Sequence, residues 1–183
     1  KTAKIEVTDT PGTDPIAITI NKNTANATAN VPSLEGTEFT VKYYNNYYGS
    51  LSELPEKATR TWVFAAKYRS TTGLYTVGLE NAFKVGGDDL YYGTINGQKN
   101  AVVPYGMITI QETKPATGYE NDASFTESNG TSYGSIVLAR VDDSGKLIAV
   151  KTGNSLSDTS LDVNDTLIPV PSTSLCNEEG SQY

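Results

Sequence analysis

Three ionisable residues end apolar strand faces in this chain, and their types make a reactive set. In IAITINK (16–22), Ile16, Ile18 and Ile20 share one face under the period-two rule of strands, and the next residue on that face is Lys22. In MITIQET (107–113), Ile108 and Ile110 share a face with Glu112, and in SLDVNDTLI (160–168), Leu161 and Val163 share a face with Asp165. A charge on a core face is costly unless it is neutralised or paired. Desolvation disfavours an ammonium, and the neutral amine is a nucleophile. A carboxylic acid kept protonated by burial hydrogen-bonds to a carbonyl under attack and shuttles protons. An amine that reaches an aspartate carboxyl carbon forms an amide and releases water; an asparagine acceptor would release ammonia. Holding the two in contact supplies the effective molarity for an otherwise slow condensation. Each residue also has an ordinary reading: Lys22 as a solvated strand-end lysine, Glu112 paired with Lys114 or an arginine, Asp165 as a turn cap. Lys42, Lys67 and Lys114 read as surface charges.

Composition narrows the alternatives. A chain of 183 residues is long enough for one domain of about 150 residues with flanking segments. The net charge is -7 with scattered Lys and Arg, which argues against nucleic acid and against an anionic membrane surface as partners. There is no histidine, so the commonest general base and metal ligand is missing. The one cysteine, Cys176, lies in a polar C-terminal stretch, so neither an internal disulfide nor a cysteine metal site is expected. Paired aspartates at 88–89 and 142–143 are isolated turn pairs and not a calcium loop. No cofactor and no metal is therefore expected. No run approaches the ~18 apolar residues of a membrane span, and no signal peptide is apparent. A chain that opens mid-pattern at Lys1 without methionine reads as a fragment.

The elements that must position the three residues are strands. Short runs rich in Val, Ile, Thr and Tyr fall at 16–22, 38–48, 59–69, 73–79, 88–93, 107–113, 135–141, 146–152 and 160–168, separated by Gly, Asn, Asp and Pro. A Leu/Pro/Glu/Lys segment before residue 59 has room for one helical turn, and no longer amphipathic helix is found. Many short strands at near-even spacing predict an all-β antiparallel sandwich. KIEVTDTP (4–11) and SLDVNDTL (160–167) share an apolar-x-Val-x-Asp-Thr pattern, as if one last-strand element occurred twice. On that reading residues 1–14 end a preceding module or linker, 15–168 form the domain, and 169–183 are a C-terminal tail or linker.

Several of these stretches resemble one family. EGTEFTVKYY (35–44) is similar to the L-x-G-A-x-F-x-V stretch that follows the first strand in Gram-positive surface-protein domains of the collagen-adhesin B type, also called SpaA-like or prealbumin-like. MITIQETKPATGY (107–119) resembles that family's E-T-x-A-P-x-G-Y signature with Pro115 one place early, and VTDTP and VNDTL resemble its final-strand Val-x-Asn/Asp-Thr-Pro. TRTWVFAA and VPYGMITI look like segments of its longer members in Firmicutes. The resemblance implies an inverse immunoglobulin-like antiparallel β-sandwich with an autocatalytic isopeptide bond. Carried over by position, it makes Lys22 the amine, Glu112 the assisting acid and Asp165 the acceptor. Asn164 is the neighbouring candidate, but its parity opposes Leu161 and Val163, and the first copy has Thr8 there and Asp9 at the reactive position. Leu167 replaces the motif's proline, and the loop after Lys22 is longer and more polar than the pattern.

The expected function is a stalk or spacer domain of a bacterial cell-surface adhesin or pilin. It would be extracellular and wall-anchored, with neighbouring modules of the same protein as partners. Its chemistry is a single self-modification and not enzyme turnover. The alternative is a ligand-binding adhesin domain whose Tyr-rich insert (43–100) contacts host glycan or protein, with YYNNYY (43–48) and LYY (90–92) as contact residues. A glycosidase built on paired carboxylates is disfavoured, since no cleft-building helices or long active-site loops are evident.

Overall fold

The computed structural model describes residues 19–24, 32–71, 73–121, 124–127, 132–141, 147–149 and 160–167. Residues 1–14 with the KIEVTDTP copy, Asp142–Asp143, Cys176 and the segment 169–183 lie outside the described residues. The described chain is mostly strand: β1 (Thr19–Thr24), β2 (Glu38–Tyr44), β3 (Arg60–Ala65), β4 (Lys67–Arg69), β5 (Leu74–Gly78), β6 (Lys84–Gly87), β7 (Tyr91–Ile95), β8 (Gln98–Val102), β9 (Gly106–Lys114), β10 (Tyr119–Glu120), β11 (Phe125–Glu127), β12 (Ser132–Gly134), β13 (Ile136–Val141), β14 (Leu147–Ala149) and β15 (Ser160–Leu167). The helical turn expected before residue 59 is a single 3-10 turn at Leu51–Glu53. The fold is all-β.

The strands form two large sheets and a hairpin. One sheet has the order β12-β11-β15-β1-β5-β4, with β10 also pairing with β15; the other has the order β14-β13-β9-β2-β3-β6. Pairing is antiparallel throughout the described strands except between β1 and β15, which run parallel. An antiparallel pair can close with a two-residue turn, whereas parallel neighbours need a long crossover. Here nearly the whole domain is the crossover. Residues from both sheets fill one core: Ile20, Val77 and Phe125 from the first, and Phe39, Val41, Phe64, Ile108, Ile110 and Val137 from the second. The Phe39 and Phe125 rings meet edge to face across it, centroids 6.2 Å apart.

The run TRTWVFAAKYR, which reads as one strand, is two. Ala66 breaks it: its N–H donates to the Thr37 carbonyl at 2.8 Å, and its own carbonyl accepts from Gly36 N–H at 3.1 Å. These bonds take the backbone out of one sheet after β3 and deliver it to the other as β4. Gly36 has a φ of +84°, a left-handed conformation that costs glycine little.

The tyrosine-rich segments divide between core and surface. Tyr43 and Tyr44 are buried, whereas Tyr47 is half-exposed because the chain leaves β2 after Tyr44. Tyr43 stacks on Trp62 and meets Tyr91 edge on, with centroids 6.3 and 5.4 Å apart. Its hydroxyl donates to the Tyr105 carbonyl at 2.8 Å. Trp62 Nε1 donates to the Asp89 carbonyl at 3.0 Å, and the Arg60 guanidinium lies 3.6 Å from the centre of the Tyr91 ring. These contacts fasten the β7–β8 hairpin to the second sheet. The hairpin turns through Asn96 and Gly97, both with positive φ, as a type I′ turn requires.

Burial pushes the Tyr43 phenol up to about 12, with Tyr91 and Tyr47 adding to the shift. Between about pH 10 and 12 the folded state keeps a proton that an unfolded tyrosine has lost, so stability must fall as pH rises through that window. Urea midpoints measured across it should decline, and the decline should be shallower in Tyr43→Phe. Equal slopes for the two proteins would show that Tyr43 is not the titrating group.

Candidate functional site

Lys22 sits in the central strand β1, where its backbone partners are Val163 of β15 on one side and Tyr75 of β5 on the other. Glu112 sits near the end of β9 in the other sheet, opposite Phe39 of β2. Each follows its strand's apolar face inward: Ile20 and Lys22 are buried together, as are Ile108, Ile110 and Glu112. The two side chains meet between the sheets, with Lys22 Nζ 3.0 Å from Glu112 Oε2 and side-chain exposures of 0% and 1%. The same two backbone rows carry the aromatic contact described above, since Phe125 pairs with Val163 and Phe39 with Glu112. An amine and a carboxyl group are thus in direct contact at a dry level of the core, with an edge-to-face phenylalanine pair contributed by the same rows.

The surface readings divide cleanly. Lys42, Lys67 and Lys114 are all exposed. Lys114 lies 3.8 Å from Glu38, a solvated contact at the sheet surface, and not against Glu112.

Asp165 is reached through the register of β15. The parallel pairing sets Lys22 opposite Val163, Asn23 opposite Asn164 and Thr24 opposite Asp165. Strand rise and spacing put a residue two steps along a neighbouring strand ~8 Å away, Cα to Cα, within the combined span of a lysine and an aspartate side chain. Asp165 has the parity of Val163, Lys22's partner; Asn164 has the opposite parity. The side chains of β15 lie outside the described residues.

Two further residues, Thr113 and Asn121, also shape the site. The β2–β9 register shifts between Glu38 and Phe39, so Thr113 is an extra residue on β9 immediately after Glu112. Such a bulge re-aims the strand beyond it. The Thr113 and Thr40 hydroxyls are 2.8 Å apart, linking the bulge to β2. Asn121 Nδ2 donates to the Glu112 carbonyl at 3.1 Å. The signature-like stretch after Glu112 has its own small core of Leu34, Ala116 and Tyr119, and the Tyr119 hydroxyl donates to the Pro32 carbonyl at 2.7 Å.

Among the described residues no cluster of His, Cys, Asp and Glu is disposed to hold a metal ion, and no helix is long and apolar enough to cross a membrane. The exposed tyrosines carry cations: Arg140 lies 5.4 Å from the Tyr47 ring centre and Lys99 4.3 Å from that of Tyr92. Compared with models of known protein families and with curated protein sequences, the chain matches none.

A buried ion pair is tolerated only while both members are present, and removing one partner costs about 3–5 kcal/mol. Lys22→Met, which fills the space but supplies no amine, should lower the unfolding free energy by at least that amount, measured by urea denaturation. A loss under about 1 kcal/mol would show that the Glu112 carboxyl does not depend on the amine.

Proposed function

We propose that this domain forms an intramolecular amide between Lys22 and Asp165, assisted by Glu112, and serves as a covalently locked load-bearing module. The observation that carries this reading is the 3.0 Å contact between Lys22 Nζ and Glu112 Oε2 inside the core, on the strand that neighbours the one bearing Asp165. Moving a proton from ammonium to carboxylate within that contact leaves a neutral amine beside a carboxylic acid and removes two buried charges. The amine then attacks Cγ of Asp165. The new N–C bond forms as the C–OH bond breaks, Glu112 passes the amine's proton to the departing hydroxyl, and one water leaves. No oxidant, reductant or cofactor is needed, and each molecule reacts once.

The strand arrangement supports the mechanical part of the reading. β1 and β15 are adjacent and parallel, so the entry end of one and the exit end of the other lie at opposite ends of the pair. A load applied through those ends crosses the β1–β15 pair, where a Lys22–Asp165 amide would bear it while the strands between carried little. A cross-link closing a loop of ~100 residues or more also removes about 4–5 kcal/mol of entropy from the unfolded chain in the entropic account. Unlike a disulfide, an amide resists reduction.

With the resemblance to collagen-adhesin B type domains, this reading makes the fold an inverse immunoglobulin-like sandwich and the protein a stalk or spacer segment on a Gram-positive cell surface, flanked by similar modules. The ligand-binding alternative has less support, because Tyr43 and Tyr44 of the tyrosine-rich segment are core residues.

Intact mass tests the proposal. The folded protein should weigh one water less than its sequence, and Glu112→Ala should restore the full mass and lower the melting temperature. Loss of ammonia would move the acceptor to an asparagine such as Asn164, and an unshifted mass would refute the cross-link.

A further inference from the structure

We propose that Asn121 is a positioning residue for Glu112, coupling the placement of its carboxyl to the docking of the last strand. The inference rests on the amide-forming reading above and assigns a role that reading does not require.

The geometry is a closed excursion that begins and ends at one carbonyl. From Glu112 the chain passes the Thr113 bulge and finishes β9 at Lys114. It then turns, with Tyr119 N–H donating to the Ala116 carbonyl at 3.1 Å. Tyr119 and Glu120 pair with Leu167 and Thr166 of β15, the residues that follow Asp165. The next residue, Asn121, sends its side-chain amide back to the Glu112 carbonyl at 3.1 Å. A bulge disrupts the strand ladder locally, and backbone groups there need other partners; Asn121 supplies one.

The segment 112–121 therefore belongs to both sheets at once. One end carries the carboxyl that touches Lys22, and the other is paired to the strand that carries Asp165. The Asn121 amide ties the two ends together. When β15 is paired with β10, the clip sets the backbone of Glu112; when β15 is absent, β10 has lost that partner strand and the clip has lost its anchor. The acid would reach its working position only as the acceptor strand arrives, which confines the reaction to the correctly folded chain. Asn121 is exposed, so it contributes little packing, and an ordinary hydrogen bond of this kind adds little net stability. Misplacing a catalytic group by about 1 Å costs far more in rate, up to ~100-fold.

The test separates the rate of amide formation from the rate of folding. Wild type, Asn121→Ala and the isosteric Asn121→Asp, which lacks the amide donor, are made by pulsed cell-free synthesis and sampled over time. Each sample is divided between a brief protease challenge, which reports folding, and an acid-denaturant quench followed by intact mass, which reports loss of water. Both variants should gain protease resistance at the wild-type rate within about twofold, yet lose water about tenfold more slowly or worse. Water loss at the wild-type rate in either variant overturns the proposal. So does a common slowing of folding and water loss by the same factor, which would mark Asn121 as purely structural. If wild type itself keeps its full mass, the amide-forming reading fails, and this inference with it.

Discussion

An amine and a carboxyl group held 3.0 Å apart where water does not reach set the terms for the rest of this architecture. Each ion taken from water alone would cost several kcal/mol, so neither Lys22 nor Glu112 is tolerable on its face without the other. Their strands belong to different sheets, and the contact exists only while the sheets are closed on each other. The surrounding features serve that closure. Phe39 and Phe125 meet across the same two rows, and the bulge at Thr113 comes directly after Glu112. An apolar pair of similar volume would close the sheets with less cost in desolvation, which makes stability alone a poor reason for these residues. The proposed chemistry between them supplies another.

The topology around that contact is also expensive. β1 and β15 lie far apart in the chain, and their parallel pairing requires almost the whole domain to fold back between them. The entropy of closing so long a loop must be met before the contact yields anything, so this pairing is expected to be among the slower events of folding. A covalent bond made after that step would make a late, non-local contact permanent. The position of β10 fits the same order of events, because its pairing with β15 links the segment that follows Glu112 to the strand that bears Asp165.

The tyrosines show how one residue type takes two roles. Tyr43 has an apolar body to bury against Trp62 and Tyr91 and a hydroxyl that finds the Tyr105 carbonyl, so it can close a core beneath a hairpin. Tyr47, four residues later, has left the sheet and stands half in solvent against Arg140, its hydroxyl donating to the Val141 carbonyl at 3.2 Å. A tyrosine-rich run is therefore no measure of exposed aromatic surface.

What the amino-acid sequence determined by itself was local. Alternation of apolar and polar residues predicts strands, and the same parity carries Lys22 inward beside Ile20 and Glu112 beside Ile110, because successive side chains of a strand must point to opposite faces. The all-β class and most strand positions follow from this alternation and from the turn residues between runs. Pairing was not legible in this way. The break at Ala66 depends on hydrogen bonds to Thr37 and Gly36, some thirty residues earlier in the chain. The short strands β10, β11 and β12 are too brief to show a period; β10 and β11 exist because β15 offers them partners, and β12 in turn pairs with β11. The parallel union of β1 with β15, the meeting of Lys22 with Glu112 and the Asn121 clip are decided only when both sheets are assembled. Parity fixes which face a side chain takes, but only the packed tertiary structure decides what stands opposite it.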